Sequence, residues 1–270
     1  IKLEPFTLSE CEACLAERHI SFSRYDIIQT YMIFGGIPYY LNYLDRGLSL
    51  AQNVNTLFYS KNAVLRMEFD RLFASVFKNP ETIKRIVELL AGNSIGYTRK
   101  EIAEKIGISN SGTLTELLSA LMVSDFVAYY IPFGEGKRDG KYKLIDPFCL
   151  FYLKFVKNSV SLDENFWISH IDSQSIISWR GFAFENVCFN HIGAIKKALG
   201  ISGVSTKHSA WSKKDDEESG MQIDLIIERR DNIINMCEIK FYGDEFIVDK
   251  RYDRILKSRC TALSEYIPKK

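Results

Sequence analysis

The sequence predicts an α+β protein of several domains: a helical N-terminal segment, a winged helix-turn-helix, and a C-terminal unit of helix, three strands and helix. Three observations predict it. Apolar residues recur at helical spacing through residues 1–78; residues 79–147 read as three helices and a hairpin; residues 148–270 read as a long helix, three alternating strands and a closing helix. With 270 residues, 46% hydrophobic and 26% charged, the chain has the length for two or three domains and the apolar content for their cores.

In the first segment Thr7 and Ser9 can cap a helix entering Glu10 to Arg18, and Ser23 can cap one that includes Tyr25 to Ile33. "FGGIPYYLNYL" (34–44) then makes a corner, with two glycines ending one helix and Pro38 in the first turn of the next. Residues 56–77 continue the helical rhythm. In the middle segment "PETIKRIVELLAGN" has period 3.6 and ends at Gly92 and Asn93. Thr98 and Glu101 are spaced as a capping box, Gly107 supplies a tight turn, and Ser109 is the expected cap of a third helix. "VAYYIPFGEGKRDGKYKLID" alternates apolar and polar residues around a glycine-rich basic tip. In the last segment a long helix spans Ser175 to Leu199, "VSTKHSAW" is a strand, "KKDDEESG" (213–220) a polar loop, and "DKRYDRILKSRCTAL" the closing helix.

Composition excludes several classes. The net charge of +1 gives no global field for nucleic acid, so such a partner must meet a local patch. No apolar run approaches the ~18 residues of a membrane span, and no charged-then-apolar leader opens the sequence, which predicts a soluble, cytoplasmic protein without membrane partners. Six scattered cysteines predict free thiols rather than a disulfide framework. Cys11 and Cys14 form a single C-x-x-C within a helix, and the four histidines lack ligand spacing, so no zinc site is expected. The opening "IKLEPFTLSE" reads as the interior of a longer protein.

The richest stretch is "QIDLIIERRDNIINMCEIK" (222–240), two apolar strands around an Asp231-Asn232 turn. Side chains alternate along a strand, so Glu238 and Lys240 share one face, and Ile223, Leu225 and Ile227 lie opposite to Asp224. With the turn centred on Asp231, Asp224 falls across from Glu238. Two carboxylates from separate strands suit Mg²⁺ or Mn²⁺, with Lys240 orienting or deprotonating a metal-bound water or neutralising charge at phosphorus. The plain alternative is an exposed hairpin face whose ion pair contributes ~0–1 kcal/mol. Glu185 on the preceding helix and the basic residues of the closing helix, Lys250, Arg251 and Arg254 with Lys257 and Arg259, tilt the reading towards chemistry on a phosphate backbone.

The middle segment bears on DNA through its tip. The expected recognition helix, Asn110 to Leu121, offers Asn110, Ser111, Thr113, Thr115, Glu116 and Ser119 but no basic residue. The wing offers Lys137, Arg138, Lys141 and Lys143, which can hold phosphates without reading bases, or remain solvated while the module docks a partner. Sequence-specific transcriptional regulation is the weakest of these options. The aromatic residues fall mainly within amphipathic rhythm and read as core.

A helix, then strands bearing Asp and Glu-x-Lys, then a helix resembles the PD-(D/E)XK nuclease core. "RGFAFENV" (180–187) is similar to the Gly-x-x-Phe-Glu helix of one branch of it, the C-terminal domain of a family of bacterial and archaeal AAA+-like P-loop ATPases. "GGIPYYL" (35–41) resembles the same family's helical lid, and Asp146 to Phe155 its link between winged helix and nuclease-like domain. The resemblance implies a lid-like segment at 1–78, a winged helix at 79–147 and a restriction-endonuclease-like domain at 148–270. It implies Asp224 and Glu238 as metal ligands, Lys240 as the catalytic lysine and Glu185 as the first-helix acid. No Gly-x-x-x-x-Gly-Lys-Ser/Thr stretch is present, so ATP is expected only through an upstream P-loop domain that this sequence lacks. The expected partners are DNA, the missing ATPase half and possible further copies. Two functions follow as expectations: metal-dependent DNA hydrolysis, or non-catalytic binding of nucleic acid or protein that regulates the ATPase.

Overall fold

Side-chain caps set several helix starts in the computed structural model, which describes residues 4–157, 159, 163–213 and 221–266. Thr7 caps α1 (Leu8–Glu17) in a capping box with Glu10, and Ser23 caps α2 (Arg24–Phe34). At the corner Gly35 takes φ +65°, and a Cβ on Gly36 would lie 2.0 Å from the Phe6 carbonyl oxygen, so the close crossing of residue 6 requires glycine there. Pro38 opens α3 (Pro38–Leu41). The rhythm of 56–77 is not one helix. After α4 (Leu50–Val54) the chain makes a π-helical turn over Asn55–Tyr59, breaks, and resumes as α5 (Glu68–Val76). The break holds because Arg66 takes the freed carbonyls of Phe58 and Tyr59 at 3.3 and 2.6 Å, and Tyr59 donates to the Phe155 carbonyl at 3.2 Å.

In α6 (Pro80–Ala91) Ile83, Ile86, Val87 and Leu90 are buried at positions i, i+3, i+4 and i+7, so one stripe faces the core. β1 (Tyr97–Thr98) leads through the Thr98–Glu101 capping box into α7 (Arg99–Ile106), which Gly107 ends at φ +72°. α8 (Gly112–Val123) starts after Ser111 rather than Ser109, whose hydroxyl bonds the Ser111 hydroxyl at 2.9 Å instead. β2 (Val127–Tyr130) and β3 (Lys141–Leu144) complete an antiparallel sheet of order β1-β3-β2.

Beyond it come α9 (Pro147–Phe151), α10 (Phe166–His170), α11 (Gln174–Asn190) and α12 (Ile192–Ala198). The expected single helix over 175–199 is broken at His191, whose Nε2 accepts from the Leu8 backbone N–H at 3.0 Å. One apolar core runs from Cys11 to Val187 and joins α1, α2, α5, α6, α9 and α11. Its centre is aromatic: Phe151 is fully buried, with ring centroids 5.0 Å from Phe58, 5.1 Å from Trp167 and 5.5 Å from Trp179.

β4 (Thr206–Lys213), β5 (Met221–Arg229) and β6 (Ile234–Cys237) form a second antiparallel sheet of order β4-β5-β6, and α13 (Lys250–Tyr266) closes the chain. The expected polar loop falls mostly on residues 214–220, outside the described residues. The protein is therefore mixed α+β, with two small three-stranded sheets in a largely helical chain. Among the described residues no helix is long and apolar enough to cross a membrane.

Candidate functional site

The β5–β6 register places the acids. Leu225 pairs with Cys237, Ile226 with Met236, Ile227 with Asn235 and Glu228 with Ile234. One step further in this register sets Asp224 across from Glu238, as the turn chemistry predicts. Two sequence expectations are corrected here. β6 ends at Cys237, so Glu238 and Lys240 follow the ladder rather than belong to it. Ile223 also does not share a face with Leu225 and Ile227. It packs with Ile226 against Trp211, Phe133 and Leu263, whereas Leu225 and Ile227 pack with Phe189, Ile192 and Ile195.

A bulge is the physical cause of the change of face. Ser209 pairs with Ile226 and Trp211 with Ile223, so Asp224 and Leu225 together oppose Ala210. The extra residue resets the alternation and re-aims Asp224. Its carboxylate, in a residue only 8% exposed, accepts from the Ile239 backbone N–H at 3.0 Å and so continues the strand pairing through a side chain. Gln222 Nε2 donates weakly to its other oxygen at 3.4 Å.

Glu238 is held by three donors. Lys240 Nζ lies 2.7 Å from Oε1, the Tyr252 hydroxyl donates to Oε1 at 2.5 Å, and Arg259 pairs with Oε2. Burial pushes the Glu238 carboxyl up, and these bonds outweigh it, leaving the pKa below the ordinary value. Lys240 shows the mirror image. Burial opposes its charge, and its bonds to Glu238 and Tyr252 raise its pKa above the ordinary lysine value. Lys240 is thus a firmly protonated ammonium, suited to neutralising or orienting rather than to taking a proton.

Glu185 faces this group from α11. Burial first, and the like charge of Asp224 second, push its carboxyl up to about 7, while Lys143 and Lys240 pull it down. Asp224 is raised too, by burial, against the pull of the Ile239 N–H. Lys143 reaches the site from β3 and lies 5.1 Å from the Phe189 ring centroid. Burial lowers its pKa, and Glu185 and Asp224 counter that.

The structure thus brings Glu185, Asp224, Glu238 and Lys240 within electrostatic reach of one another and adds Lys143. Lys141 and Lys143 line a cleft of about 350 Å³ together with Glu185 and Asp224. The other basic residues lie elsewhere. Lys137 and Arg138 are exposed at the hairpin tip, and Lys250, Arg251 and Arg254 are exposed on α13. Tyr252 escaped the sequence reading of the site, and Arg259 entered it only as one charge of a basic helix. Their signal was spacing, since seven residues are two helical turns and put both on the α13 face that meets Glu238. Arg99 was missed as well. It donates to the Thr115 hydroxyl at 2.6 Å and the Ser111 carbonyl at 2.7 Å, and so brings a cation to the N-terminal end of α8.

Carboxylate oxygens are the donors that Mg²⁺ and Mn²⁺ prefer, and desolvated like charges are what such an ion relieves, so the residues fit the ion in donor chemistry. Their present arrangement is not a finished cage. Among the described residues no three His, Cys, Asp or Glu side chains cluster to hold a metal, and both Glu238 oxygens are engaged.

The chain is 27% identical over 256 residues to the uncharacterized protein MJECL04 of Methanocaldococcus jannaschii, an alignment covering 89% of this chain and 54% of that protein. The chain therefore spans about half the length of the curated relative it matches. No family model and no solved structure matches it.

Proposed function

We propose that this chain is the C-terminal region of an ATPase-family protein and carries a metal-dependent, nuclease-like unit that hydrolyses phosphodiester bonds in DNA. In this reading residues 1–78 form the lid-like segment, 79–147 the winged helix and 148–270 the restriction-endonuclease-like unit. The observation that carries it is the β5–β6 register that sets Asp224 across from Glu238, with Glu185 and Lys240 converging from a helix and a neighbouring strand end. A hairpin built for stability alone gains nothing from desolvating two carboxylates of one sign side by side. The motif order shared with the ATPase family supports the wider assignment.

Asp224 and Glu185 would hold Mg²⁺ or Mn²⁺, joined by Glu238 once one of its present donors lets go. Such an ion, when bound, acidifies a water ligand and draws charge from phosphoryl oxygens. Lys240, already protonated, would orient that water and offset charge on phosphorus. Tyr252 and Arg259 would fix Glu238, and through it Lys240.

A second reading, a non-catalytic module that binds nucleic acid or protein and regulates the ATPase, draws support from the same lock on Glu238. Cleavage of plasmid and single-stranded DNA with Mg²⁺ or Mn²⁺ decides between them. Loss in both Asp224→Ala and Lys240→Ala supports hydrolysis; equal background in wild type and both variants sinks it.

A further inference from the structure

The cleft beside the acids has two unlike walls. One carries Glu185 and Asp224; the other, formed by the β2–β3 hairpin, carries Lys141 and Lys143. The walls are fixed to each other. Phe133 of the hairpin is buried against Trp211 and Leu263, its N–H donates to the Ala210 carbonyl at 3.2 Å, and the Tyr266 hydroxyl donates to Glu135 at 3.3 Å. The hairpin is thus docked on the second sheet, and its inner lysines face the cleft rather than a DNA groove.

Lys143 is poorly served where it stands. Among the described residues its ammonium has no hydrogen-bond acceptor and no ion-pair contact; it lies over the face of Phe189. A desolvated ammonium with three open donors, set across a cleft from two acids, is a place for an anion to enter. Lys141 adds a second cation on the same wall, partly offset by Glu101.

We propose that this cleft receives one phosphodiester unit of a single-stranded nucleic acid, with Lys143 donating to the phosphate. The inference deepens the hydrolase reading and rests on it for the role of the acidic wall, where a divalent ion would face the same phosphate. Size selects the single strand. At about 350 Å³ the cleft lies at the low end of small-ligand pockets. A B-form duplex, whose major groove alone is ~12 Å wide, is too large for a cleft of that volume. Intact duplex would enter only where frayed or unpaired.

Fluorescence anisotropy on the 270-residue chain tests this, with labelled oligothymidylate and a blunt duplex of equal length, in Ca²⁺ at low salt. The expected result is single-strand binding about tenfold tighter than duplex, weakened about tenfold by Lys143→Gln, the scale of a charge-assisted bond. Its salt slope should fall by ~0.7, one phosphate contact on a single strand. Lys143→Arg should retain binding, and the tip variant Lys137→Gln/Arg138→Gln should bind as wild type. Melting curves confirm that each variant folds. Duplex binding as tight as single strand, or Lys143→Gln matching wild type, overturns the proposal. Strand binding as expected with no cleavage in Mg²⁺ or Mn²⁺ leaves the strand site standing and removes the hydrolase reading. Duplex cleavage that depends on the tip and not on Lys143 does the reverse.

Discussion

The helical region and the second sheet bury their side chains for different ends. Around Phe151 the core is nearly all hydrocarbon, with the rings of Trp167 and Trp179 packed edge to face and those of Phe58 and Phe155 tilted against it. In the β4-β5-β6 sheet two small apolar clusters flank a bulge, and Asp224 at that bulge lies within electrostatic reach of Glu185, Glu238 and their cations. The first arrangement maximises burial. The second spends apolar surface to keep charges close and partly dry, which a stable fold does not require. Stability should therefore reside in the helices, and function beside the sheet.

Phe151→Ala probes the first half of that contrast. It opens a cavity in the aromatic core and should cost about 3–5 kcal/mol, read by denaturant unfolding. Next in size is Glu185→Gln, and its sign is opposite. The folded carboxyl is raised from 4.5 to about 7, so the folded state holds the proton more tightly than the unfolded state. That stabilisation is complete below about 4.5 and is lost as pH rises towards 7. The glutamine variant should therefore be more stable than wild type at pH 8, by about 1–3 kcal/mol at ~1.4 kcal/mol per unit. The gap should vanish by about pH 4.5 in a melting series. If the site is catalytic, the same variant loses cleavage while it gains stability. A smaller loss, about 1 kcal/mol, is expected for Thr98→Ala, which removes the α7 cap, read by the same denaturant unfolding. The smallest effect belongs to Arg251→Gln, an exposed residue of α13, which should alter stability by less than ~0.5 kcal/mol. A large effect there would move the functional surface onto the outer face of that helix.

Local chemistry made much of this legible in sequence. Thr7, Ser23 and the Thr98–Glu101 pair start helices where their side chains can cap, and the Asp231-Asn232 turn sets the β5–β6 register, with Asn232 at φ +63°. What escaped depends on contacts distant in sequence. The π turn at Asn55 is held by Arg66, the helix break at His191 meets Leu8, and the bulge at Asp224–Leu225 exists only against β4. Alternation read along one strand cannot reveal a residue added relative to its neighbour. Arg259 and Lys143 were visible as charges, but their partners were not, because hairpin and helix meet the acids only through tertiary packing.

The central claim is that the bulge-set carboxylate at position 224 belongs to a hydrolytic site. Its most direct test is the rate of single-strand DNA cleavage in Mn²⁺ by wild type and Asp224→Asn, a variant of equal size that keeps an acceptor for the Ile239 N–H. The account predicts measurable cleavage by wild type and a loss of at least about 10²-fold in the variant, with the melting temperature preserved or raised. Equal rates in the two proteins, or no cleavage by either, would contradict it.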